Sequence, residues 1–489
     1  MKSKLMIYAV VLFCIISNIY SQSIDEIVND AVKGKELKNG QWSVYAKYVD
    51  NNNVIYAKDE NYSLAPASGL KVFTSSTALE VLGEDFRFQT KLYFDGSIIK
   101  GSILKGNIYI VGGGDPTLGS SLVKGSLNLD TLFLSWITIL KEKGIQRIEG
   151  SIIADDLLYE DNPISDGWVY GDIGNYYGAG ANALTINDNL YYVYFKPGKN
   201  VGNHADVLRT EPVIDGLTFT NYMKTGKEGS GDNGNVYSAP YQYNVTLRGT
   251  IPLGVKEFSI KGAIPDPALF AAQYFTKALI KAGIKVSKPA KKIDKPIKYN
   301  SKNLITTTYS PMLKDIVYIV NKRSNNLYTE MLLRAIGLNK KGEGSIDKGI
   351  EGIEEYLSSN GVNIDGLHLY DGCGLARSNT ITAKLMVDVL ALEYSKKSFN
   401  SFYNSLGVTG DPNDISYYSK YGVGTELAFN GHIKSGLINR VRSHSGYIKD
   451  KSGRTIIFSF IANNFTGSSS QIDKIHISLM VKLAQLSEK

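Results

Sequence analysis

A serine and a lysine three residues apart, Ser68 and Lys71, stand in APASGLKVFTSSTALEVLG (residues 65–83). Helical positions i and i+3 share one surface, so the amine can approach the hydroxyl and take its proton. The pair alone is weak evidence, because Ser97, Ser102, Ser121 and Ser345 each begin an S-x-x-K as well. Context separates them. Ser97 and Ser102 fall in a strand-and-turn pattern, and Ser121 and Ser345 in Gly-flanked loops; only Ser68 opens a long segment of helical period. A second group is Ser324 and Asn326, an S-x-N triplet between two apolar-periodic segments of SPMLKDIVYIVNKRSNNLYTEMLLRAIG. Alone, that triplet reads as a cap or turn. A third is Lys434-Ser435-Gly436, where a lysine beside a strand bend is the plain alternative.

The elements that must position these groups follow from periodicity. Ser23 to Glu26 (SIDE) is a capping box, and Ile24, Ile27, Val28 and Ala31 give the helix after it one apolar face. QWSVYAKYV and NVIYAKDE flank the turn-rich DNNN and read as a hairpin leading into the Ser68 helix. Near the C-terminus, GHIKSGLINRVRSHSGYIKDKSGRTIIFSFIANN holds three strand-like segments, and Ile472, Ile475, Leu479 and Leu483 form the stripe of a closing helix. A sheet built from both termini, with terminal helices packed on it, accounts for this symmetry. From about Phe88 to Ile297 the texture changes to short strands, Gly turns and tyrosines.

Length and composition set the frame. The chain has 489 residues, 43% of them hydrophobic, enough for two or three packed domains. Residues 1–21 combine Lys2 and Lys4, an apolar run from Leu5 to Ile16 and a small residue at Ser21, the layout of a secretory signal peptide cleaved near Gln22. No later stretch reaches about 18 uninterrupted apolar residues, so no transmembrane segment is expected in the mature chain. A formal net charge of +7, reduced by loss of the leader, implies no nucleic-acid partner. Cys14 and Cys373 are the only cysteines, and processing leaves Cys373 alone. The five histidines show no metal spacing, so neither metal nor cofactor is expected. There is no G-x-S-x-G elbow, which disfavours a Ser-His-Asp hydrolase. The glycine run of VGGGDPTL lacks the G-K-[ST] ending of a phosphate loop and reads as a turn.

Taken in order, S-x-x-K opening a helix, S-x-N between helices and K-S-G on a strand resemble the penicillin-binding protein and serine β-lactamase superfamily. More narrowly, the chain resembles the D-alanyl-D-alanine carboxypeptidase/endopeptidase family, the class C low-molecular-mass penicillin-binding proteins. Further matching stretches are PASGLKVFT, GNIYIVGGGDPTL, GSIIADDLLY, LRGTIP, DGCGLARSN and HIKSGLINRVRSHSGYI, spread over nearly the whole mature chain. Two departures stand out: Ser435 where threonine is usual, and Cys373 and Ala376 where serines are common.

The resemblance implies an α+β transpeptidase-like domain formed by residues 22–87 and 298–489, interrupted by an insertion at 88–297 that forms one or two mostly β subdomains. It implies a serine DD-peptidase, exported to the periplasm or cell-wall space, acting on peptidoglycan stem peptides and acylated by β-lactam antibiotics. Ser68 is then the nucleophile and Lys71 its base. Ser324 relays a proton and Asn326 holds Lys71 and the substrate amide. Lys434 and Ser435 hold the substrate's terminal carboxylate, and the backbone N–H groups of Ser68 and Leu437, the residue after Gly436, receive the oxyanion. An acid of the insertion is expected to meet a free amine of the stem peptide; the ADDLLY match puts it at Asp155, where a turn acid is the competing reading. A serine β-lactamase and a catalytically silent wall-binding scaffold are the alternative functions. The first lacks an identifiable deacylating base, and intact motifs argue against the second.

Overall fold

The computed structural model describes residues 23–99 and 101–487; the expected signal peptide at 1–21 lies outside them. The elements that position the site include helix α1 (Ile24–Lys33), strands β1 (Gln41–Tyr48) and β2 (Val54–Lys58), helices α2 (Lys71–Leu82), α3 (Leu313–Arg323) and α4 (Asn326–Lys341), strands β3 (Gly407–Val408), β4 (His432–Ile438), β5 (Val441–Lys449) and β6 (Thr455–Asn463), and helix α5 (Ser469–Ala484).

The strands form one antiparallel six-stranded sheet in the order β3-β4-β5-β6-β1-β2. The two ends of the chain meet at its centre, where β1 pairs with β6 from Gln41 opposite Asn463 to Tyr48 opposite Ile456. Both faces are covered. Phe458, Phe460 and Ala462 point to a core shared with Ile27, Val28 and Ala31 of α1 and Ile472, Leu479 and Leu483 of α5. Ile457 and Ile461, of the opposite parity, join the core around α2 and α4. This explains the near-continuous apolar run of β6: a strand buried on two sides has no polar face to alternate. Helix α1 starts as expected, with Ser23 and Glu26 exchanging both bonds of a capping box.

Helix α2 is a core helix. Every residue from Lys71 to Leu79 is buried, so the helix carries no solvent face and no amphipathic stripe. It lies between the sheet and α3 and α4, with Leu70, Val72, Phe73, Leu79, Val320 and Leu332 in one cluster.

Between α2 and α3 the chain forms four further sheets. Two long helices accompany them, Leu129–Glu142 and Pro267–Lys281, whose Phe133, Trp136, Phe275 and Leu279 fill a separate core. The strand-rich reading of this region passed over them, although Leu129, Leu132, Phe133, Trp136, Ile137 and Leu140 keep helical spacing. Strand Leu304–Tyr309, past residue 297, pairs with Gln89–Phe94 and closes the edge of the five-stranded sheet.

The segment before Ser68 is clamped to the sheet. The side chain of Asn463 accepts from the Ala65 N–H and donates to the Ala65 carbonyl, both at 2.9 Å, so one amide fixes the approach of the chain. Asn463→Ala leaves both buried backbone groups unpaired and is expected to destabilise the protein by about 1–3 kcal/mol in urea unfolding; an unchanged midpoint would mean the clamp is dispensable.

Candidate active site

Ser68 lies in a 3-10 turn, Ala67–Leu70, and the α-helix begins only at Lys71. Sequence periodicity opens the helix at Ser68; the difference is small, because in a 3-10 turn positions i and i+3 eclipse and still face each other. Ala67 has a positive φ of 47° that turns the chain into this geometry. Between Leu64 and Leu79, only Ser68 is not buried. The turn thus presents one hydroxyl at the surface of a helix that is otherwise sealed.

Lys71, fully buried, places its amine 3.0 Å from Ser68 Oγ, 2.6 Å from Asn326 Oδ1 and 2.7 Å from the Cys373 carbonyl. Three neighbours saturate an ammonium; a neutral amine keeps two N–H bonds and turns its lone pair to the third, the only one with a proton to give. Burial lowers the Lys71 pKa, opposed by the negative surroundings of Cys373, Asp371 and Glu330. Asn326, the first residue of α4, is held in turn by its Nδ2 donating to the Tyr177 carbonyl at 2.8 Å. That bond fixes which end of the amide faces Lys71.

Ser324 caps α3 in a left-handed conformation, φ 55°, and its Oγ accepts from Lys434 Nζ at 3.0 Å. The same amine donates to the Ser435 carbonyl at 2.8 Å. Lys434 is buried and its pKa is driven well below that of a free lysine, first by burial and then by Lys71 and Arg442. The charges named around Lys434 are the cations Lys71 and Arg442, which add to its burial, whereas the burial of Lys71 is opposed by Asp371 and Glu330.

Gly436 answers to packing. A Cβ there would lie 2.1 Å from the Pro66 carbonyl and 2.6 Å from Ser443 Oγ, so only glycine lets β4 lie against the turn that carries Ser68. The Ser435 N–H is taken by the Tyr418 hydroxyl at 2.9 Å and not by β5. Backbone groups of like parity face one edge, so the Leu437 N–H points to that same free edge, next to a side chain that is 54% exposed. Tyr418 was not legible in the sequence, where SYYSKYG reads as loop.

Five of the expected residues therefore form two hydrogen-bonded groups, Ser68–Lys71–Asn326 and Ser324–Lys434, near enough for the charge of Lys71 to lower the Lys434 pKa, with Ser435 and Leu437 along the same strand as Lys434. Asp155 is placed elsewhere. It ends a strand of the insertion (Ile152–Asp155), and its carboxylate accepts from Tyr299 at 2.6 Å and from the Leu157 N–H at 3.1 Å, which is the turn-acid alternative. An acid that the insertion links to the cluster through Tyr177 is Asp172. It lies 3.9 Å from the Arg377 guanidinium and near Tyr177, the residue whose carbonyl holds Asn326. Its sequence signal is thin, a lone acid in WVYGDIGNYYG.

The DGCGLA loop closes the site from behind. Asp371 accepts from Trp168 Nε1, the Gly374 and Ala376 N–H groups and Asn379 Nδ2, and Glu330 accepts from the Gly372 N–H. Glu330, Asp371 and Cys373 lie close enough together to invite a metal reading, but those donors already occupy Asp371 and one Glu330 oxygen. The cluster is an anchor for the loop that supplies the Cys373 carbonyl to Lys71. Burial pushes Glu330 up to about 7 and the Cys373 thiol well above its ordinary range. Cys373 and Ala376, which stand where serines are common, pack with Trp168 and Leu375.

Comparison with known proteins bears on the family and the fold. The D-Ala-D-Ala carboxypeptidase 3 (S13) family model matches residues 21–486. A D-alanyl-D-alanine carboxypeptidase of Actinomadura sp. (strain R39) is 29% identical over 95% of this chain and 84% of its own. The D-alanyl-D-alanine carboxypeptidase DacB of Haemophilus influenzae is 25% identical over 86% of this chain and 85% of its own. The crystal structure of penicillin binding protein 4 (dacB) from Haemophilus influenzae superposes with a TM-score of 0.79 at 23% identity, covering 94% of this chain and 99% of that one. It has also been solved in complex with a β-lactam. The fold is that of a penicillin-binding protein with additional inserted domains, and the chain belongs to the D-Ala-D-Ala carboxypeptidase 3 (S13) family of serine peptidases.

Proposed function

We propose that the protein is an exported DD-peptidase that cleaves the D-Ala-D-Ala ends or cross-links of peptidoglycan stem peptides through an acyl-enzyme on Ser68, and that β-lactams acylate the same hydroxyl. The observation that carries this reading is the 3.0 Å contact between the accessible Ser68 hydroxyl and a wholly buried lysine amine. Family membership supports the reaction class. The basic start, apolar run and Ser21 of the leader support export.

In this mechanism neutral Lys71 takes the Ser68 proton as Oγ attacks the D-alanyl carbonyl carbon. Charge develops on the carbonyl oxygen between the Ser68 and Leu437 N–H groups. The proton passes from Lys71 by way of Ser324 to the departing nitrogen, the C–N bond breaks, and water later hydrolyses the ester. Asn326 keeps Lys71 aimed while its amide meets the substrate. The substrate carboxylate lies against Lys434 and Ser435. Its negative charge offsets the burial of Lys434, which then takes up a proton and meets the carboxylate as an ion pair. The free amine of the stem peptide meets Asp172, not Asp155, because Asp172 is the acid beside Tyr177 and Arg377.

Three outcomes test these assignments. Ser68→Ala should abolish release of D-alanine from a pentapeptide while the circular dichroism spectrum and melting curve stay close to wild type; residual turnover near the wild-type rate removes Ser68 from the chemistry. For pH, burial holds Lys71 below the ordinary lysine value of 10.5, so acylation should rise with pH and level off before that value. Lys71→Arg, which keeps the charge but cannot release a proton in this range, should erase both the rate and the rise; an Arg variant with the wild-type profile contradicts the base assignment. Lys434→Ala should slow a D-alanyl thioglycolate thioester more than its methyl ester, by roughly ten- to a hundredfold, the worth of about 1.5–3 kcal/mol for a charge-assisted bond. Equal losses would place Lys434 on Lys71 alone.

A further inference from the structure

We infer that Tyr418 sets the direction of the Ser435 hydroxyl, and is thereby a positioning residue for the choice of substrates that carry a free carboxylate. This deepens the reading above, resting on Lys434 and Ser435 as the carboxylate site.

The phenol makes two bonds to one residue. It accepts from the Ser435 N–H at 2.9 Å and donates to Ser435 Oγ at 2.8 Å. A phenol has a single proton, and here it is committed to Oγ. The proton of Ser435 itself is left for an acceptor outside the pair, on the half-exposed side where Lys434 and the free edge of β4 meet. A serine is otherwise free to sample three rotamers and to spend its proton locally. Tyr418 removes that freedom and leaves a donor aimed at the carboxylate.

The tyrosine is built to stay where it is. It is buried, and its ring lies flat enough on Gly407 of β3 that a Cβ there would come within 2.2 Å of two ring carbons. Tyr421 packs edge-on against it at 5.4 Å between centroids. The Tyr421 hydroxyl accepts from Arg442, which also donates to the Gly436 carbonyl, so ring, arginine and strand edge form one rigid assembly. The backbone carbonyl of Tyr418 accepts from the N–H groups of Gly410 and Tyr421, which pins the loop beneath it. Burial holds the phenol above its ordinary range, so it remains a donor wherever the enzyme works.

The test compares kcat/KM on two D-alanyl thioesters that differ only in the leaving group, thioglycolate with its free carboxylate and the methyl ester without it. Tyr418→Phe should lower the ratio of thioglycolate to methyl-ester turnover by about fivefold to tenfold, chiefly through KM, the range expected for one misdirected hydrogen bond. Ser435→Thr placed in the Tyr418→Phe background should restore the ratio to within about twofold, since a β-branched side chain restricts χ1 without help from the phenol. A merely structural tyrosine would slow both substrates alike and would not be rescued; either result overturns the inference. Ser435→Ala separates the levels. If it leaves the ratio unchanged, the carboxylate site itself is misassigned and both readings fall. If it lowers the ratio while Tyr418→Phe does not, only the role of Tyr418 fails.

Discussion

The structure depends on one buried amine. Lys71 opens a helix with no solvent face and is itself fully buried, where an unpaired ammonium would be costly, and its three neighbours come from different parts of the chain: Ser68 from the preceding turn, Asn326 from α4 and the Cys373 carbonyl from the loop behind. Those three contacts fix where the turn, the helix and the loop must lie. The same burial that makes the position expensive lowers the lysine's proton affinity, which is the property a base beside serine requires.

The remaining architecture serves to hold those neighbours still. Pairing of the chain's two ends at β1 and β6 brings the Asn463 amide to Ala65, just ahead of the serine turn. Gly436 lets the opposite wall, β4, approach that turn to backbone contact. The insertion contributes as well: Tyr177 orients Asn326, and Trp168 donates to Asp371 beneath the DGCGLA loop. The inserted part is therefore coupled to the site through named hydrogen bonds, and the second lysine, Lys434, donates to Ser324 while burial and the charge of Lys71 lower its own proton affinity.

Much of this was legible in the sequence because it has local signals. The capping box at Ser23, the two-sided apolar run of β6 and the three short motifs each carry their own pattern, and the motif residues do converge. What was not legible depends on side chains meeting across long separations. Asp155 was chosen by a flanking match, yet its carboxylate is used up by Tyr299, while Asp172 becomes the neighbour of the cluster only through the packing of Tyr177 and Arg377. Tyr418 gives no pattern in a tyrosine-rich loop; its meaning comes from a ring seated on Gly407. The helix Leu129–Glu142 was readable by period and was hidden by the strand-like texture around it. The balance between the two lysines needed the third dimension, since sequence shows two cations but not which of them has carboxylates nearby.

The most direct test of the central claim is the mass of the intact wild-type protein after exposure to a penicillin, followed by proteolysis and mapping of the adduct. The account predicts a gain of one penicillin per chain, carried on the peptide that contains Ser68 and Lys71. An unmodified protein, or an adduct on a peptide that lacks Ser68, would contradict it.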